Sequence, residues 1–303
     1  MSNDIKGWLI TGIVVDFAVI VANLAEQCVM RRNWGILDRV DHFLFSLSLS
    51  DLVTGFCTIS VDGWFLYHFA KQGADPTPDP FLTKVFDAAF LFSVFASIFH
   101  VTAIAIERLM CVRFPKRSHY FTSTRSKAIM LSIIWALSLL LSVAFALMQA
   151  FALDHIFGKY ARCSIFLAAI LVVTGTYIAL VFYLRDIRKQ ISNGEKLSLA
   201  EEDQLQKVRR TTIVCVLIGF SFVACVLPIT LGYLSDKLYH PVVNILITFN
   251  SLVNPTIYLG RLLTDQSLRG TRNRSGTTMQ LLGGPPEWSQ YDLDNSVTDV
   301  QHL

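Results

Sequence analysis

The chain has 303 residues, 53% hydrophobic and 16% charged, against about 25% charged in an average soluble domain. Net charge is +3 and mean hydropathy +0.49, and the apolar residues fall in long blocks instead of at amphipathic spacing, which excludes a string of ordinary soluble domains. The six Cys are scattered singly, so neither a zinc site nor a disulfide framework is indicated; no Walker, Rossmann, HExxH or GxSxG pattern occurs, and no basic–aromatic array suggests nucleic acid.

In chain order, seven apolar segments can be read, at about 8–30, 43–70, 81–106, 128–153, 163–184, 211–235 and 241–260. Each can cross a bilayer as one helix, which satisfies its own backbone groups. The expected fold is therefore an all-α membrane protein, a bundle of seven transmembrane helices. A short N-terminus over 1–7, a membrane domain over 8–262 and a polar, mostly disordered tail over 263–303 complete the chain. The first block has no small-residue cleavage site after it and reads as a retained signal anchor. If the N-terminus is outside, the cytoplasmic side collects 20 of the 26 Lys and Arg, leaving Lys6, Lys71, Lys84, Lys159, Arg162 and Lys237 outside. That asymmetry selects N-terminus out and C-terminus in.

The first helix carries Asp16, which must face protein or water, with Asn23 two turns further on the same face. Glu26, near its inner end, is expected to snorkel to the cytoplasmic surface. In the second helix Asp51 follows Ser46, Ser48 and Ser50. A lone carboxylate there costs about 3 kcal/mol on insertion scales, which marks it as functional unless it merely knits helices together. In the third, nineteen residues from Ala88 to Ile106 hold no acidic or basic side chain except His100, a helix of about 28 Å. Glu107 and Arg108 then stand where that helix meets water, and a basic loop follows them. Trp135 in the fourth helix reads as packing. The fifth helix continues as a charged extension stopped by Ser192-Asn193-Gly194, and Ser198 with Glu201 has capping-box spacing for the next start. Pro228 removes one backbone hydrogen bond in the sixth helix and should kink it. In the seventh, Asn250 and Asn254 share a face with Ser251 beside them, and Pro255 loosens the backbone below.

Taken together these pieces resemble the rhodopsin-like (class A) G protein-coupled receptors, over nearly the whole chain from about residue 10 to 262. Asn23 matches the first-helix Asn, Leu47-Ser48-Leu49-Ser50-Asp51-Leu52 looks like LAxADL, and Glu107-Arg108-Leu109 resembles the Asp/Glu-Arg-Tyr motif. Trp135 and Tyr183 fall at the fourth-helix Trp and fifth-helix Tyr. Phe222 with Cys225-Val226-Leu227-Pro228 resembles the FxxxCWxP switch, and Asn254-Pro255-Thr256-Ile257-Tyr258 is a complete NPxxY. The resemblance implies a receptor of the plasma membrane, not an enzyme, in which an extracellular ligand favours a swing of the sixth helix about Pro228. Glu107, Arg108, Tyr183, Phe222, Asn254, Pro255 and Tyr258 then rearrange to admit a heterotrimeric G protein, with arrestin and a receptor kinase as further partners of the tail. It also implies a sodium ion, and no other cofactor, at Asp51, Ser97, Asn250 and Ser251.

The ligand pocket that the match implies is formed by Phe90, Val94, Thr230, Tyr233, Asn244 and Thr248, mostly apolar with a few hydrogen-bonding groups. It suits a small neutral ligand, a lipid or part of a peptide. The departures are Val226 for the switch Trp, Leu109 for Tyr, Gly175 for the fifth-helix Pro, and Thr83 for the third-helix Cys, which leaves Cys163 of the second outer loop without an obvious partner. The missing third-helix Cys and fifth-helix Pro, with a short second outer loop, look like the melanocortin, lysophospholipid, cannabinoid and adenosine branch. Val208 stands where some members pair a Glu with the motif Arg, so a weakly latched inactive state with basal activity is expected. Two other readings stay open: a signalling-deficient decoy or dimer partner, which the missing Trp and Tyr fit, and a proton or cation transporter using Asp16 and Asp51.

Overall fold

The computed structural model describes residues 2–32, 41–72, 80–114, 123–151, 157–192, 199–235, 243 and 245–261. Six long helices are α1 (Ser2–Arg32), α2 (Asp41–Gln72), α3 (Pro80–Arg113), α4 (Thr124–Ala150), α5 (Lys159–Ser192) and α6 (Leu199–Ser235). A seventh, α7, covers 245–258. The chain divides into two units, Met1–Tyr258 and Leu259–Leu303. Of the second, 259–261 are described and are helical. Among the described residues no strand occurs, and α1 to α6 each contain a stretch long and apolar enough to cross a membrane. The seven apolar blocks are thus seven helices, and the chain is a multi-pass membrane protein.

The helices outrun the blocks where polar turns continue them. α6 starts at Leu199, well before the apolar run from Thr211, and α5 continues to Ser192, where the sequence signals its stop. α1 already begins at Ser2. The start of α4 has a local cause: Ser123 is extended, and its hydroxyl accepts the backbone N–H of Ser126 at 3.2 Å, satisfying one donor of the first turn. α6 runs through Pro228 without interruption.

α3 is the axis of the bundle and packs against α2, α4, α5 and α6; α1 lies on α2, and α5 on α6. Its buried face is mostly apolar (Phe95, Ala96, Ile98, Val101, Ile104, Ala105), with Ser93, Ser97 and His100 among them, while α4 exposes Ile133, Leu139 and Leu140 as a lipid-facing helix does. One polar knot crosses this core. Trp135 Nε1–H of α4 donates to Ser46 Oγ of α2 at 2.9 Å. Ser46 in turn meets His100 Nε2 of α3 at 2.8 Å, and His100 Nδ1 meets its own helix at Ala96 O, 2.6 Å. The arrangement closes when Nδ1 carries the proton and Nε2 accepts from Ser46. Trp135 is therefore a hydrogen-bonded tie and not packing alone. Ser46→Ala strands both the indole N–H and the imidazole nitrogen and should cost about 2 kcal/mol or more. It is read as a lowered thermal midpoint of the purified protein; an unchanged midpoint would mean the two groups find other partners.

Two expectations fail. Glu26 does not snorkel: it is 2% exposed, beside Ser48 and within electrostatic reach of Asp51 and Asp41. Helical side chains lean toward the helix N-terminus, so at the far end of α1 Glu26 leans back into the bundle, away from the membrane surface. Cys163 is not in a loop. It sits in the second turn of α5, buried, with Sγ 4.0 Å from Thr230 O of α6, and is a free thiol.

Candidate functional site

A chain of polar side chains crosses the middle of the bundle. Asp51 of α2 is fully buried, and each of its oxygens accepts one hydrogen bond from α7: Oδ1 from Ser251 Oγ at 2.8 Å, Oδ2 from Asn254 Nδ2 at 2.9 Å. Asn23 of α1 joins in, its amide donating to Val19 O at 3.0 Å and Ser251 O at 3.2 Å, while Ser48 of α2 donates to Asn23 O at 3.3 Å. Asp16, expected on the same face of α1 as Asn23, is buried as well, so neither faces lipid.

The cluster has acceptors to spare. Ser97 Oγ, Asn250 Oδ1 and Asn254 Oδ1 are buried without a hydrogen-bond partner, and each Asp51 oxygen keeps a lone pair. Ser97 lies within interaction range of Asp51. A carboxylate, two hydroxyls and amide oxygens form an all-oxygen donor set, the chemistry that a small hard cation takes. Such an ion would offset the buried charge. Among the described residues no group of three His, Cys, Asp or Glu side chains comes together to hold a transition metal.

Toward the far end of α3 stand Glu107 and Arg108, 7% and 6% exposed. Arg108 Nε donates a hydrogen bond to Glu107 Oε2 at 2.6 Å and its Nη2 makes an ion pair with the same oxygen at 2.6 Å, while Cys111 Sγ donates to Oε1 at 3.3 Å. Among the described residues Arg108 bonds to Glu107 alone, and none of the described side chains of α6 gives it a hydrogen bond or ion pair. Val208, the position without the pairing Glu, lies on α6 among side chains outside the described set.

What holds α6 instead is Tyr177 of α5, which sequence reasoning missed. Its hydroxyl donates to Cys215 O of α6 at 2.6 Å, and its ring fills the notch at Gly219, where any Cβ would collide with it. A glycine within an apolar helix, opposite an aromatic, is the signal that could have found it. Tyr183 makes a different contact: the Arg113 guanidinium lies 4.5 Å above its ring. Phe222 and Tyr258 are fully buried, Pro255 is buried, and Pro228 faces outward.

The six pocket positions come together less completely. Val94, Thr230 and Thr248 are buried and Phe90 is half-buried. Thr230 spends its hydroxyl on Val226 O of its own helix at 2.8 Å, and Thr248 faces Asp16. Asn244 and the side chain of Tyr233 lie outside the described residues, as does the side chain of Thr83.

Comparison with known proteins agrees with this geometry. The family model described as "7 transmembrane receptor (rhodopsin family)" matches residues 22–258. A stretch of 125 residues is 30% identical to neuromedin-U receptor 2 of Mus musculus and 28% identical to that of Rattus norvegicus. Each match takes in 41% of this chain and spans 30% of the relative's own length.

Proposed function

The chain belongs to the rhodopsin family of seven-transmembrane receptors, and we propose that it converts the binding of an extracellular ligand into activation of a heterotrimeric G protein. The single observation that carries this reading is Arg108: a buried guanidinium that, among the described residues, is held by its sequence neighbour Glu107, poised to be released when α6 moves. Glu107 and Arg108 are the resting pair, Phe222 and Pro228 the pivot, and Asn254, Pro255, Tyr258 and Tyr183 the groups that rearrange as the inner cleft opens. The N-terminus is outside and the C-terminus cytoplasmic in the plasma membrane. The receptor domain spans 8–262, and the tail from 263 serves arrestin and a receptor kinase.

A sodium ion at Asp51, Ser97, Asn250 and Ser251 would bias the resting state, since its ligands come from α2, α3 and α7 and it holds them together. The ligand occupies the half of the bundle lined by Phe90, Val94, Thr230, Tyr233, Asn244 and Thr248. The relatives are named for neuromedin U, and a ligand of that kind extends the small neutral, lipid or peptide classes read from these side chains.

Tyr177 would set the resting position of α6. Its hydrogen bond must break when α6 swings, and a hydrogen bond of this kind is worth about 1 kcal/mol net, close to fivefold in a two-state population. Tyr177→Phe keeps the ring in its Gly219 notch, removes the bond and should raise basal nucleotide exchange about fivefold; no rise would mean the bond survives in the active state.

The reading is tested by mixing the purified receptor with heterotrimeric G proteins under nucleotide depletion and following co-elution. A complex that forms and falls apart on adding a GTP analogue is the expected result. The decoy reading, favoured by Val226 and Leu109, predicts no complex with any G protein at normal surface expression. The transporter reading predicts cation or proton currents that depend on Asp16 and Asp51.

A further inference from the structure

A second acidic site lies between α1, α2 and α7, toward the end of the bundle where α1 begins and α2 ends. Gly12 and Asp16 are four residues apart on α1, and Thr58 and Asp62 four apart on α2, so each pair shares a helix face. Asp62 stands about 16 Å along α2 from Asp51 and cannot share its partners. Asp16 is 1% exposed, and its Oδ2 accepts no hydrogen bond. Asp62 is half-buried and within electrostatic reach of Asp16. Its Oδ2 rests on the backbone of α1 at Gly12, where a Cβ would collide with it. Asp16, like any helical side chain, leans toward its helix N-terminus, which carries its carboxylate toward Gly12 and so toward Asp62.

Among the described residues the surroundings supply oxygens and no counter-charge. The hydroxyls of Thr58 and Thr248 lie beside Asp16. The Thr58 hydroxyl reaches the carbonyls of Thr54 at 2.9 Å and Gly55 at 3.2 Å as well as Asp16, so its proton has a backbone acceptor whenever its oxygen is needed by an ion. Among the described residues no Lys, Arg or His pairs with either carboxylate. Two carboxylates in a membrane interior need their charge balanced.

We propose that Asp16 and Asp62 bind a hard divalent cation, Ca2+, with the hydroxyl oxygens of Thr58 and Thr248 as further ligands and water completing the shell. The charge matches, and every ligand is oxygen. A bare ion suits the site, because one carboxylate lies directly on the helix backbone at Gly12 and the other is buried. Ca2+ accepts an irregular shell of six to eight oxygens, whereas Mg2+ demands a near-ideal octahedron. In the orientation proposed above this end faces the extracellular medium, and the half-buried Asp62 gives the ion its way in. The ion clamps α1 to α2 and α7.

The test is thermal unfolding of the purified full-length chain in lipid nanodiscs, a readout independent of G protein coupling. With CaCl2 at roughly 5 mM, above the ~0.1–1 mM range typical of extracellular Ca2+ sites, the midpoint should rise by on the order of 4 °C. Asp62→Asn should abolish the rise. Gly12→Ala should abolish it too, since its methyl group displaces the Asp62 carboxylate without changing any charge, and Asp51→Asn should leave it intact. Ca2+ that stabilises Asp62→Asn as much as wild type, or fails to stabilise wild type, overturns the proposal. Protection by agmatine in place of Ca2+, lost in Asp62→Asn, would also overturn it and assign the pair to an organic cation.

Discussion

Arg108→Ala is expected to reduce guanine-nucleotide exchange to the level of membranes without receptor, at matched surface density. The guanidinium is the buried cation at the cytoplasmic end of α3 in the proposed orientation, and its present contacts, both 2.6 Å long, go to Glu107. Removing it also leaves Glu107 buried with only the weak Cys111 donor, and stranding one member of a buried pair costs on the order of 3–5 kcal/mol. Loss of exchange alone would therefore not separate signalling from folding. The companion variant does. Glu107→Gln weakens the hold on Arg108 while keeping a hydrogen-bonding side chain, and should raise basal exchange. Opposite signs for two members of one ion pair follow from a latch; a purely structural pair would give loss in both. Arg108→Lys keeps the charge without the planar fork and should fall between wild type and Ala.

Asp51→Ala is expected to lower the thermal midpoint well beyond the effect of Ser46→Ala. It deletes the acceptor of two hydrogen bonds, at 2.8 Å and 2.9 Å, and leaves the Ser251 hydroxyl and the Asn254 amide buried without it. With each such bond worth about 1.5–3 kcal/mol to a charged acceptor, the loss should reach roughly 3–6 kcal/mol. The proposed sodium site gives this substitution a second signature. Wild type should unfold at a higher temperature in sodium chloride than in choline chloride, and Asp51→Ala and Asp51→Asn should show no difference between the two salts. Sodium stabilisation that persists in Asp51→Asn would place the ion elsewhere.

Much of this was legible in the sequence because a bilayer punishes ambiguity. Seven apolar blocks could only be helices, and Asp51, Asn250 and Asn254 stood out because polar groups inside such blocks are expensive. The ends were less legible, since α5 and α6 continue beyond the membrane on charged residues that hydropathy does not reward. Tyr177 was missed because a tyrosine in an apolar helix looks like packing until the notch at Gly219 is seen opposite it. Trp135 was read as packing for the same reason: its partner Ser46 is 89 residues away, and only the meeting of three helices creates the tie. Asp62 drew no notice near a polar helix end, where a carboxylate usually faces water. Glu26 was assigned to the surface by its position along the helix, while the lean of its side chain decides its place.

The central claim, that this is a receptor able to couple and only loosely held at rest, is tested most directly by basal nucleotide exchange. Membranes holding the wild-type chain, without added ligand, are assayed on a panel of heterotrimeric G proteins beside membranes lacking it. The account predicts exchange above background for at least one G protein, because Arg108 has no hydrogen-bonded or ionic partner on α6 among the described residues. Exchange at background across the whole panel, from protein shown to be at the cell surface, would contradict it.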